Sequence, residues 1–192
     1  MEKILFLNGS PRMDGNTRIL LKAVESGIDK SKYETEMIDI TKHKIYGCVD
    51  CKNCKTNGGT CILPDETNAL TEKIFRADIV ILGSPVYWWG ISGQAKILLD
   101  KIYCKSTEPK YRKAGKRFGI IAVGADGIES EQYELISRQF KCITDYLGWE
   151  IVIDKSVSAY MAGDVVNQRG IIKEFIEIGK SYNKLNCSEP TF

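Results

Sequence analysis

Four cysteines fall within fourteen positions, Cys48, Cys51, Cys54 and Cys61, in the pattern C-x2-C-x2-C-x6-C. Thiolates are soft ligands, and two consecutive C-x-x-C steps let a short loop turn three of them toward one face, as a cubane iron–sulfur cluster requires. The fourth ligand tolerates a variable gap, and Gly47, Gly58 and Gly59 allow the loop to fold tightly. Zinc held by four cysteines is also chemically open, although its usual ligand pairs are separated by a longer spacer. Thiols that carry no metal, free or as a redox disulfide, are the third reading. Cys104, Cys142 and Cys187 are scattered and read as bystanders, with Cys142 on a helix and expected in the core. His43, the single histidine, lies near the cysteine loop, where a surface or supporting position suits it better than catalysis.

A second constellation is Gly9-Ser10-Pro11-Arg12-Met13-Asp14-Gly15-Asn16-Thr17, which joins an apolar run to a helical pattern. A strand, a polar loop with glycine and a helix N-terminus together form an anion site, because unpaired N–H groups and the helix dipole favour negative charge. Ser10, Asn16 and Thr17 can add side-chain donors, and Arg12 a cation. Neither Gly-Lys-Ser/Thr nor G-x-G-x-x-G is present, which argues against a nucleotide P-loop and a Rossmann fingerprint. The plainer alternative is a capped turn with a surface arginine. A third constellation, Ser84-Pro85-Val86-Tyr87-Trp88-Trp89-Gly90, sets three adjacent aromatics at the end of a β-branched run. They could border a planar ring, or pack a core or dimer contact. Gly124-Ala125-Asp126-Gly127 adds small residues that permit close backbone approach to a ligand.

These segments need a frame. The apolar run from Ile4 to Leu7 suits a strand buried on both faces. Further strands are expected at 34–40, 78–83, 117–123 and 150–156. Helices are expected at 16–28, with Asn16 or Thr17 as N-cap, then at 65–76, 92–103, 129–147 and 168–185. Strands alternating with helices imply an α/β fold with helices on both faces of a parallel sheet. Five strands fit a doubly wound, flavodoxin-like sheet in the order 2-1-3-4-5, with ligands beyond the carboxyl ends of the strands. A single domain over 1–185 is expected, with a cysteine-rich loop at 41–65 and a C-terminal tail at 186–192. The net charge of +2 points to neither nucleic acid nor an anionic membrane. The N-terminal apolar run is too short for a signal peptide, and no segment reaches the length of a membrane span, so a cytoplasmic location is expected.

The loop G-S-P-R-x-x-G-N-T after an N-terminal strand resembles the NAD(P)H-dependent FMN reductase branch of the flavodoxin-like superfamily. The segment S-P-V-Y-W, followed by a helix carrying Lys96, Asp100 and Lys101, is similar to the second signature of that branch. Many relatives have Leu-Lys and Asp-Arg where this chain has Ala95-Lys96 and Asp100-Lys101. The resemblance implies that Ser10, Arg12, Gly15, Asn16 and Thr17 hold the FMN phosphate. It assigns Pro85, Val86, Tyr87, Trp88, Trp89 and Gly90 to the isoalloxazine ring, with Gly124 and Ala125 beside them. The cysteine spacing resembles that of iron–sulfur flavoproteins, which implies a [4Fe-4S] cluster on Cys48, Cys51, Cys54 and Cys61 next to FMN. Three functions follow from the resemblance. One is an FMN-dependent oxidoreductase passing electrons from NAD(P)H to quinones, flavins or similar small-molecule acceptors. Another is an iron–sulfur flavoprotein exchanging electrons with ferredoxin, and the third a non-enzymatic flavodoxin-type carrier. The resemblance further implies a homodimer or higher homo-oligomer, with Trp88, Trp89 and the cysteine loop as interface candidates. The segment 158–164 could also border the pocket.

Overall fold

The computed structural model describes residues 1–111 and 115–185. The expected tail at 186–192, with Cys187, lies outside these residues. Among the described residues six strands are present: β1 (Glu2–Asn8), β2 (Tyr33–Asp39), β3 (Ile79–Tyr87), β4 (Gly90–Ile91), β5 (Arg117–Gly124) and β6 (Glu150–Ser158). Between and after them run α1 (Asn16–Gly27), α2 (Asn53–Thr56), α3 (Thr67–Arg76), α4 (Gly93–Lys101), α5 (Tyr103–Ser106), α6 (Glu131–Leu147), α7 (Asp164–Asn167) and α8 (Ile171–Leu185). The sheet order is β2-β1-β3-β5-β6, with every neighbouring pair parallel. That is the expected doubly wound order once β4 is set aside. The sixth strand has two residues and pairs antiparallel with the end of β3.

Period-two alternation divides the core between the two faces of the sheet. Ile4 and Phe6 of β1, with Ile79 and Ile81 of β3, pack under Leu20, Leu21 and Val24 of α1 and Phe175 and Tyr182 of α8. Leu5, Leu7, Val80 and Leu82 face the other way, against Leu70 and Ile74 of α3, Leu98 of α4 and Phe140 of α6. Each of these buried aliphatic or aromatic side chains stabilises the fold by roughly 2 kcal/mol relative to exposure. Helices α1 and α8 touch backbone to backbone. A Cβ on Gly27 would stand 2.1 Å from the Ile176 carbonyl, and one on Gly179 would stand 2.0 Å from that of Val24.

The ends of several elements differ from the expectation, for local reasons. β3 runs on through Ser84 to Tyr87, because Ser84 and Pro85 stay in register with Ala122 and Val123 of β5. β6 likewise continues to Ser158 beside Gly124. Gly170, at φ 84°, keeps α8 from starting before Ile171, and the separate turn α7 precedes it. In the cysteine loop, a turn of 3-10 helix (Ile40–Lys42) and α2 appear where no period was legible. Among the described residues no helix is long and apolar enough to cross a membrane.

Candidate functional site

The parallel order brings three loops to one end of the sheet. The first follows β1. Gly9 N–H donates to the Gly83 carbonyl of β3 (2.8 Å), and the Ser92 hydroxyl donates to the Gly9 carbonyl (2.7 Å). Ser92 also caps α4 by accepting from Ala95 N–H, so one side chain ties the β1 loop to the element after β3. Within the loop, Ser10 Oγ accepts from Arg12 N–H (3.2 Å), and Gly15 N–H donates to the Arg12 carbonyl (3.1 Å).

Gly15, not Asn16 or Thr17, is the N-cap of α1, and no side chain caps the helix. The first turn also carries no acidic residue, while Asn16 and Thr17 are buried. The opening amides of α1 therefore have neither an intrahelical acceptor nor a side-chain cap, the arrangement that accepts an anion. Asn16 does not aim its side chain at that position. Its Nδ2 donates to the Met161 carbonyl (2.8 Å) and its Oδ1 accepts from Val165 N–H (3.4 Å), which straps the segment after β6 over the start of α1. Arg12 Nη1 reaches the Tyr160 carbonyl at 3.5 Å.

A cleft of about 270 Å³ opens between these loops. Ser10, Arg12, Asn16 and Thr17 line it from the first loop, Pro85, Val86 and Tyr87 from the end of β3, and Gly124 and Ala125 from the end of β5. Val123, Ala159 and Tyr160 complete it. Gly15, Trp88, Trp89 and Gly90 are not part of the lining. The two tryptophans form the turn between β3 and β4 and are 92% and 52% exposed. Both have left-handed backbones, φ 49° and 60°, and their rings lean on one another at 6.1 Å. A Cβ on Gly124 would meet the Tyr133 hydroxyl at 2.8 Å and Gln132 Nε2 at 3.2 Å, so a side chain there would have to displace both. That Gln132 amide is buried without an acceptor, close to the cleft wall. Sequence reasoning missed Val123 and Gln132: one ends a strand pattern that looked purely structural, and the other is an unremarkable polar residue on a helix.

The cysteine loop forms a separate, smaller cavity. Cys48, Cys51, Cys54 and Cys61 all line it, with Lys101, Tyr103 and Cys104. Asp65 closes the base of the loop by accepting from Tyr46 N–H (2.8 Å) and Thr67 N–H (2.9 Å). Burial works to raise its pKa, but those hydrogen bonds and Lys101 outweigh it and hold the carboxyl below the ordinary value. Lys101, itself buried, lies 3.6 Å from Asp65 and donates to Cys61 Sγ (3.5 Å). Asn68 grips Cys61 by both backbone groups, at 2.8 Å each. A hydrogen bond from the Asn53 side chain, helped by its backbone, lowers the Cys51 pKa, while burial pushes Cys104 up. His43 pairs with Glu66 at 2.8 Å. Cys142 is exposed rather than in the core, because it points off the outer face of α6. Four thiols on one cavity beside a buried cation suit an anionic iron–sulfur centre chemically, yet no three His, Cys, Asp or Glu groups among the described residues stand arranged to hold a metal ion.

The family described as NADPH-dependent FMN reductase matches residues 2–140. An iron–sulfur flavoprotein of Methanocaldococcus jannaschii is 35% identical over 123 residues, which span 64% of this chain and 62% of that one. YwqN of Bacillus subtilis, named as an NAD(P)H-dependent FMN-containing oxidoreductase, is 29% identical over 97% of this chain and 98% of its own length. Among solved structures, the NAD(P)H:quinone oxidoreductase from Methanothermobacter marburgensis superposes with a TM-score of 0.71 at 13% identity, over 94% of this chain and 98% of that one. At that identity the likeness speaks for the fold.

Proposed function

Because this chain belongs to the NADPH-dependent FMN reductase family, we propose that it is an FMN-dependent oxidoreductase that takes electrons from NAD(P)H and delivers them to a small acceptor such as a quinone or a flavin. The observation that carries the reading is the convergence of Ser10, Arg12, Asn16 and Thr17 with residues 85–87 and 123–125 on one cleft, with an uncapped, non-acidic helix start at its edge. The YwqN similarity, which runs nearly the whole length of both chains, adds to it.

The cleft residues suit FMN. The first-turn amides of α1 and the Arg12 guanidinium bind the phosphate, and the helix dipole adds to their field. Pro85, Val86 and Tyr87 flank the ring, and Gly124 and Ala125 let the backbone approach it closely. When bound, FMN supplies the redox chemistry, taking hydride from a nicotinamide and passing electrons on singly or in pairs. The side chains that line the cleft would bind and orient the cofactor. Purified protein incubated with FMN should show the two resolved flavin bands and bleach anaerobically with NADPH or NADH. Failure to retain FMN sinks the reading; retention without bleaching sinks the NAD(P)H half of it.

A second reading adds a [4Fe-4S] cluster on Cys48, Cys51, Cys54 and Cys61, with ferredoxin as electron partner. Its support is the four thiols on one cavity and the iron–sulfur flavoprotein similarity. Closing the loop around the metal would then be part of binding. About four iron and four sulfide per chain after anaerobic reconstitution is the expected result, and none is the refuting one. The exposed indoles of Trp88 and Trp89 favour a homodimer or higher homo-oligomer, measurable by light scattering.

A further inference from the structure

Behind the loop after β1 lies a buried polar cluster that does not line the cleft. Asn8 ends β1 and Asp39 ends β2, side by side in the parallel register. Asn8 is fully buried and Asp39 is 8% exposed. Asn8 Nδ2 donates to Asp39 Oδ1 (2.9 Å), and Asn8 Oδ1 accepts from Ser10 N–H (3.1 Å). Arg18, in the first turn of α1, donates through Nε to the same Asp39 oxygen (3.0 Å), and Lys42 lies 3.2 Å from the other.

A carboxamide has nearly the same shape when flipped, so only its partners fix its direction. Asp39 can only accept. It therefore draws the Asn8 NH₂ toward itself and turns the Asn8 oxygen to the Ser10 amide. Without that acceptor the flipped Asn8 would set a donor against the Ser10 N–H. The second bond to the same oxygen holds Arg18, on the far side of the loop. One carboxylate thus grips both stems of residues 9–15, the one leaving β1 and the one entering α1. Burial works to raise the Asp39 pKa, yet hydrogen bonds from Asn8, Arg18 and Lys42 outweigh it and keep the carboxyl below the ordinary value. The group is ionised near neutrality, and its charge is matched by two cations.

We propose that Asp39 is a positioning residue for phosphate recognition, setting through Asn8 and Arg18 the shape of the loop that presents its amides to the flavin phosphate. The inference rests on the reading of that loop as the FMN phosphate site. It differs from a purely structural role in one measurable respect: it concerns the phosphate end of the ligand and not the ring end.

Riboflavin, which has the ring but no phosphate, supplies the control. FMN and riboflavin are titrated by fluorescence quenching into the wild-type protein, Asp39→Leu and Asp39→Asn. Asp39→Leu should bind FMN about tenfold more weakly with riboflavin affinity unchanged. Asp39→Asn keeps the shape and one acceptor oxygen, so it should recover part of the FMN preference, and it carries the test if the leucine variant does not fold. Equal losses for both flavins, or no loss for FMN, overturn the role of Asp39. A wild-type protein that does not prefer FMN to riboflavin overturns instead the phosphate reading on which it stands.

Discussion

Replacing Trp88 with asparagine should make the protein more stable. Trp88 and Trp89 are the two central residues of a tight turn between β3 and β4, with Tyr87 paired to Gly90. Both have positive φ, the geometry for which hairpins of this kind select asparagine and glycine. A bulky side chain held there costs about 1–2 kcal/mol, and asparagine tolerates it far better. What the indole returns is small. Trp88 is 92% exposed, so only 8% of its surface is covered. Taking about 250 Å² for the side chain leaves roughly 20 Å² buried, about 0.5 kcal/mol at the usual coefficient. The balance favours Trp88→Asn by about 1 kcal/mol, or about 2–4 °C in Tm for a chain of this size. Urea unfolding followed by far-UV circular dichroism reads this without relying on the removed indole. The measurement belongs at several protein concentrations, because an indole covered by a second copy would give the opposite sign only where that copy is bound. A variant less stable than wild type in the dilute limit would refute the strain argument.

Gly179→Ala should destabilise by about 3 kcal/mol, since its Cβ would stand 2.0 Å from the Val24 carbonyl and force α8 off α1; chemical denaturation measures the loss. Asp39 and Asp65 both have folded pKa values below their ordinary ones. Their contribution is therefore fully present above about pH 4 and is lost as the pH falls through the folded values; thermal midpoints should drop on that acid limb, less steeply in Asp39→Asn. Asn68→Ala removes both grips on the Cys61 backbone, so amide exchange in the cysteine loop should accelerate at least tenfold (about 1.4 kcal/mol of local opening) while exchange in β1 and β3 stays unchanged.

The sheet and its order were legible because the signals behind them are strong and local. The run from Ile4 to Leu7 and the β-branched stretch before Gly83 can only be strands covered on both faces. The loop from Gly9 to Thr17 was legible as the lead into a helix for the same kind of reason: its residue types match a helix start. The detail inside it was not. Asn16 reads as a donor to a ligand, but its side chain also bonds Met161 and Val165, residues nearly 150 positions away that no local pattern reveals. Trp88 and Trp89 read as ring contacts because three adjacent aromatics end the strand and S-P-V-Y-W resembles the family signature; the two-residue turn that leaves both exposed is not visible in that pattern. Asp39 and Gln132 were invisible, since a polar residue at a strand end or on a helix is ordinary until its burial and partners are known.

The strap formed by Asn16 on Met161 and Val165 has a consequence for how specificity can diverge. The family match ends at residue 140. Ala159 and Tyr160, which form one wall of the cleft, lie beyond it. The first loop and the strand ends of the cleft thus lie within the matched segment, while that wall hangs from it by side-chain hydrogen bonds to carbonyl and amide groups of the backbone. Backbone partners do not depend on which side chains the wall carries. The side chains at 159–161 can accordingly be exchanged without loosening the strap, so the wall of the cleft can change its chemistry while the first loop keeps its shape.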